Sequence, residues 1–124
     1  MNASGLLAAV ALGLASLAAS AADAPAKLVN GALVAANGMT LYTFDKDTAG
    51  SGKSVCNGAC AALWPPLMAA QSDQPAGAWG IVTRDDGAKQ WAYKGKPLYF
   101  WHLDKKPGDT TGDGFKKVWH VARP

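Results

Sequence analysis

Gly38-Met39-Thr40-Leu41-Tyr42-Thr43-Phe44-Asp45-Lys46-Asp47 and Gly95-Lys96-Pro97-Leu98-Tyr99-Phe100-Trp101-His102-Leu103-Asp104 are two copies of one pattern, G-x-x-L-Y-x-[FW]-x-x-D, at a constant offset of 57 residues. Further along, Leu63-Trp64 corresponds to Val118-Trp119 with the offset relaxed to 55. A repeat of this length marks one supersecondary unit that buries its apolar face against its neighbour. Two strand–loop–strand units, about 28–67 and 79–122, therefore predict one small pseudo-twofold β domain in which each half completes the other's core. The copies differ in one respect: the two cysteines lie in the first and the two histidines in the second.

The chain around the repeats reads as all-β with a minor α contribution. All nine acidic residues are Asp, and 14 Gly and seven Pro accompany them, a composition that favours turns and caps over helices. Asn37-Gly38 after the apolar run Leu28 to Val34, and Asp86-Gly87 between Trp79–Thr83 and Lys89–Tyr93, are hairpin signals. Leu98 to Leu103 and Phe115 to Val121 read as strands. One helical turn is expected from Ser54, as its cap, to Leu63, stopped by Pro65-Pro66.

Leu6 to Ala19 is a 14-residue apolar stretch without a charge, too short to span a bilayer, which takes roughly 20 residues. Ala19-Ser20-Ala21-Ala22 follows with the small residues of a cleavage site. Residues 1–22 are thus expected to be a signal peptide and 23–124 a single exported domain without a transmembrane segment. A domain of that size has room for a modest core and excludes a multidomain enzyme or a channel. The net charge of +3 is small and scattered, which argues against nucleic acid as a partner and leaves an envelope partner open.

The motif Y-x-[FWY]-x-x-D in duplicate, carried by Tyr42, Phe44, Asp47 and by Tyr99, Trp101, Asp104, together with Cys56-x3-Cys60-x3-Trp64-Pro65-Pro66, resembles the secreted repeat family of unknown function, whose bacterial members are predicted lipoproteins. The resemblance runs from about Leu28 to Ala122 and implies an exported protein; it implies no agreed activity. Unlike the lipoprotein members, this chain has no Cys at the end of its apolar segment, so a periplasmic or secreted form without a lipid anchor is expected.

Cys56 and Cys60 are expected to form a disulfide in an oxidising compartment, because a spacing of four on a helical turn brings the two side chains to one face. The alternative is a copper or thiol-redox accessory site of Cys56, Cys60 and His102, since sulfur and imidazole ligands suit copper. Trp64, Pro65, Pro66 and Trp119 are read as core or turn residues. His102 and His120 each follow a repeat Trp and are expected to face away from it; a pairing with Asp45 or Asp47 is the functional option. Asp47 and Asp104 are expected to close the strand-to-loop corner by accepting backbone N–H groups in their own loops. Asp109 to Gly114 has the flavour of a calcium loop but lacks an oxygen ligand at position 3 and has His120 in place of the closing Glu. No strained Ser or acid–base pair stands out, so a binding or structural module is favoured over an enzyme.

Overall fold

Asn30-Gly31 interrupts the first apolar run and turns it on itself. Both residues adopt positive φ, 50° and 83°, the geometry of a two-residue hairpin matched to strand twist. In the computed structural model, which describes residues 24–124, this turn joins β1 (Ala26–Val29) to β2 (Ala32–Ala35), with Ala26 opposite Ala35. The expected Asn37-Gly38 turn is also present: Gly38 N–H donates to Ala35 O and the chain returns to bridge Val34 with Thr40. Where the sequence reads one strand, then, there is a complete hairpin, because Asn is one of the few residues besides Gly that enter the left-handed conformation.

The remaining elements are β3 (Tyr42–Phe44), α1 (Ala59–Leu63), β4 (Met68–Ala69), β5 (Trp79–Thr83), β6 (Lys89–Tyr93), β7 (Lys96–Pro97), a 3-10 turn (Phe115–Lys117) and β8 (Trp119–Val121). Three differ from expectation. The strand read from Leu98 to Leu103 is instead the short β7, Lys96–Pro97, followed by a single bridge residue, Tyr99, because past Pro97 the chain pairs residue by residue with Tyr42 and Pro66 and not along one neighbouring strand. Helix α1 begins at Ala59 and not at Ser54; Gly58 precedes it with no side-chain cap, while the Ser54 hydroxyl is engaged in the core. The last strand begins at Trp119, because Lys116 and Lys117 take φ of 49° and 64° and coil the preceding residues into the 3-10 turn. The molecule is a small all-β domain with one short helix.

The strands pair across the repeats. β3 runs antiparallel to β8, with Tyr42 opposite Val121 and Phe44 opposite Trp119, while Tyr99 bridges Pro66. At the centre Tyr42 N–H donates to Tyr99 O at 2.8 Å and Tyr99 N–H to Tyr42 O at 3.0 Å. The pattern around them repeats. Leu41 N–H donates to Leu33 O, Leu33 N–H to Ala122 O and Ala122 N–H to Leu41 O; the equivalent triangle joins Leu98, Trp91 and Leu67. A pseudo-twofold axis thus passes between the two motif tyrosines, and each motif strand takes a partner from the other repeat. β4, β6 and β5 form the largest sheet, with β7 added to β6.

Alternation along the motif strands divides the core in two. Leu41 and Leu98 face an aliphatic cluster with Ala26, Leu33, Ala35 and Ala122. Tyr42, Tyr99 and Trp101 face an aromatic cluster with Trp64, Trp119 and Cys56, and Phe44 packs against it. The motif L-Y-x-[FW] is the sequence image of a strand buried on both faces. Its glycines, Gly38 and Gly95, have φ of 83° and 85°; a Cβ on Gly95 would stand 2.7 Å from Gly50 N. The signal-peptide expectation concerns residues 1–22, which lie outside the described residues; among those described no helix is long and apolar enough to cross a membrane.

Candidate functional site

The motif side chains converge at the axis. The Tyr42 hydroxyl donates to Asp104 Oδ2 at 2.6 Å, and the Tyr99 hydroxyl donates to Asp47 Oδ2 at 2.6 Å. Both bonds cross from one repeat to the other. The second oxygen of each carboxylate holds its own loop: Asp47 Oδ1 accepts Val55 N–H, and Asp104 Oδ1 accepts the Thr111 N–H and hydroxyl. Each Asp therefore closes its own corner and clasps the other half. The crossing was not legible in the sequence, which places each Tyr five residues before the Asp of its own copy.

One half carries an additional network. Arg84, 5% exposed, donates through Nη1 to Ser54 Oγ and Gln90 Oε1 and through Nη2 to Cys56 O and Asn57 Oδ1. Ser54 Oγ also accepts Cys56 N–H. With both lone pairs filled, the Ser54 hydroxyl has one direction left for its proton, the Tyr99 oxygen 2.6 Å away. The polarity of the chain is thereby set: Arg84 to Ser54 to Tyr99 to Asp47, cation to anion, each link strengthening the next. Sequence reasoning missed Arg84, which adjoins Asp85-Asp86 in what reads as a solvated hairpin. Burial raises the Asp47 carboxyl above its ordinary value of 3.8, although the Tyr99 and Val55 bonds and Arg84 pull it down. Burial, reinforced by the bonds to Asp104 and Asp47, pushes the Tyr42 and Tyr99 phenols well above 10.0.

Beneath these bonds lies a ladder of four rings. Phe44 stacks on Trp119 at 4.1 Å, Trp119 on Trp64 at 3.8 Å, and Trp64 against Trp101 at 4.0 Å. The order follows the pseudo-twofold, since Phe44 and Trp101 are equivalent and so are Trp119 and Trp64. Tyr42 and Tyr99 meet Trp64 and Trp119 edge-on, the arrangement favoured by ring quadrupoles. A Cβ on Gly112 would lie 2.7 Å from Trp64 and 2.8 Å from Trp101, so the loop passes directly over the rings. The Trp101 indole N–H is, among the described residues, the one buried side-chain polar atom without a hydrogen-bond partner.

Cys56 and Cys60 are joined in a disulfide, with Cα atoms 5.2 Å apart and Cys56 fully buried in the aromatic cluster. His102 is exposed; its backbone N–H donates to Leu63 O, and its ring meets Trp101 edge-on. His120 Nε2 lies 2.8 Å from Asp45 Oδ2 across the β3–β8 pair. Asp109 Oδ2 accepts Lys105 and Lys106 N–H, which holds its carboxyl below the usual range, and Asp113 Oδ1 accepts Val121 N–H. Among the described residues no group of three or more His, Cys, Asp or Glu is arranged to hold a metal ion.

A family model described as a secreted repeat of unknown function matches the chain twice, at residues 29–68 and 80–123. No curated protein and no solved structure matches it.

Proposed function

Because the chain belongs to this family of secreted repeats of unknown function, we propose that it is an exported cell-envelope module, periplasmic or secreted after removal of residues 1–22 and not lipid-anchored, that binds or scaffolds and does not catalyse. The observation that carries this reading is the crossed Tyr–Asp pair. Tyr42 and Asp104, and Tyr99 and Asp47, spend their polar atoms on each other and on adjacent loops. A duplicated residue doing the same local work twice across an axis is a fastening for the fold. Catalytic groups, by contrast, are commonly held at a cost to stability, so their removal leaves a protein as stable or more so.

Thermal melts of Tyr42→Phe, Tyr99→Phe, Asp47→Ala and Asp104→Ala test the assignment without knowledge of a substrate. All four are expected to melt below wild type; unchanged or raised midpoints would point to a reactive site. Fractionation and intact mass of the exported protein test the compartment, with a start at Ala22 or Asp23 and no acyl group expected. The copper or thiol-redox alternative requires the Cys56–Cys60 bond to open first, because a disulfide offers no thiolate. Copper(I) uptake by protein reduced under native conditions, lost in Cys56→Ser with Cys60→Ser, would favour that alternative.

A further inference from the structure

The pseudo-twofold exposes an inequality between the halves. Beside β6, in the second repeat, the space is filled, in part by the 48–53 loop of the first repeat. Gln90 lies there fully buried, Arg84 from the longer β5–β6 turn bonds its carboxamide, and the 48–53 loop is sewn down by Gly50 N–H to Gly95 O and Thr83 N–H to Gly52 O. In the first half the turn shrinks to Asn30-Gly31, and Ala32 stands where the second half has Gln90. The 104–114 loop meets Gly38 through the Pro107 ring, 3.2 Å from where a Cβ would stand. The corresponding space is an open cleft of about 460 Å³ with Val29, Val34 and Val121 in its walls.

The charged groups of this cleft are of one sign. Lys27 and Arg123 line it and no carboxylate does. Among the described residues neither is in a salt bridge; Arg123 Nη1 donates to Gly31 O. Thr40 also lines it; its hydroxyl makes no hydrogen bond among the described residues and is not itself a fully buried atom. Thr110, at the position equivalent to Ser54, lines it with its hydroxyl likewise uncommitted. In the filled half Ser54 receives Arg84. A concave apolar wall with a few convergent polar groups is the ordinary form of a small-molecule site. Two cations beside apolar walls select an anion with an apolar body over a neutral lipid or a bare inorganic ion.

We propose that this cleft, between the β1–β2 hairpin and the 104–114 loop, binds a small organic anion, a carboxylate or phosphate monoester on a compact apolar body, with Lys27 and Arg123 pairing its charge and Thr40 donating to it. The inference is independent of export and of the role of the Tyr–Asp fastening, and purified protein suffices to test it. Hexanoate, acetate and 1-hexanol separate charge from body in amide-resolved NMR titrations. Hexanoate is expected to give saturable shifts at Asn30, Gly38 and Val121, with acetate and hexanol at least ~tenfold weaker. Lys27→Gln, at an exposed position that cannot unfold the domain, and Arg123→Gln should each weaken hexanoate severalfold, and Thr40→Val should weaken it while leaving hexanol unchanged. Phosphatidylglycerol vesicles distinguish a lipid surface from a free anion: the free anion is the expected ligand, and binding to vesicles without hexanoate binding would overturn the proposal. So would hexanol binding as tightly as hexanoate, shifts confined to other surfaces, or indifference to Lys27→Gln.

Discussion

Asp47 and Asp104 occupy equivalent positions, yet their tolerance of Asn should differ. Taken from the sequence alone, a corner-closing Asp would be largely rescued by Asn, whose carbonyl still accepts. The structure says otherwise at Asp47: one oxygen takes Val55 N–H, the other takes Tyr99, and Tyr99 cannot reverse because Ser54 must donate to it. An amide nitrogen at either position faces a donor. One bond is lost at either position, but at Asp104 the Thr111 hydroxyl can rotate and accept from the amide, whereas at Asp47 the amide N–H finds no acceptor. Asp47→Asn is therefore expected to cost about 2–3 kcal/mol and Asp104→Asn about 1, read from denaturant melts. The tyrosines set an alkaline limit. A phenol whose native pKa lies above its unfolded value of 10.0 keeps its proton in the fold longer than in the open chain. Its contribution is complete below pH 10 and declines as pH rises beyond it, at about 1.4 kcal/mol per pH unit for each phenol. Tyr42→Phe and Tyr99→Phe should each flatten the stability profile above roughly pH 10 by one proton's worth. Asp47 behaves in the same direction at the acid end: its raised carboxyl binds a proton more tightly in the fold, so its own contribution falls as pH climbs through the region above 3.8.

At the level of elements, the helix is the weakest piece. Five residues without a side-chain cap are far too few to hold a helix by themselves. What holds α1 is the disulfide at its first turn and the burial of Trp64 at its end. Replacing both cysteines by Ala should lower stability by about 1–3 kcal/mol, at the lower end for disulfides because the closed loop is short; hydrogen exchange should then rise first in residues 57–64. The second element under tight constraint is the loop over the ring ladder. Gly112→Ala drives a methyl into Trp64 and Trp101, so a loss of about 1–3 kcal/mol is expected from overpacking, with the near-ultraviolet circular dichroism of the stacked indoles changed. Were Gly112→Ala to melt like wild type with an unchanged spectrum, the close approach of loop and ladder would be wrong.

For the molecule as a whole, the crossed pairing means that neither half has a complete core: the β1–β2 hairpin lies within the first, but the β3–β8 and β4–β6–β5 sheets are divided between the two. Peptides 24–77 and 78–124 should each be unfolded alone, since β3 lacks β8, Tyr99 lacks Pro66 and the ladder is cut between Trp64 and Trp119. Mixed, they should regain the indole signal, and a half that folds by itself would show that the repeats are independent units. Much of this was legible in the sequence. The offset of 57 announces two units, the alternation L-Y-x-[FW] a segment buried on both faces, and the Cys56–Cys60 spacing a bridge, although Cys56 precedes α1 and does not share its turn. Period and spacing are local quantities that backbone geometry converts into position. What tertiary structure alone decided is who partners whom. A motif with Tyr and Asp in the same copy looks like a local bond, and only the pseudo-twofold, which lays each motif strand beside the far end of the other repeat, makes both bonds reciprocal. Arg84 and the open cleft belong to the same class. A charged residue in a polar hairpin and an Ala in place of a Gln carry no signal along the chain, because burial and vacancy arise from segments more than twenty residues apart meeting in space.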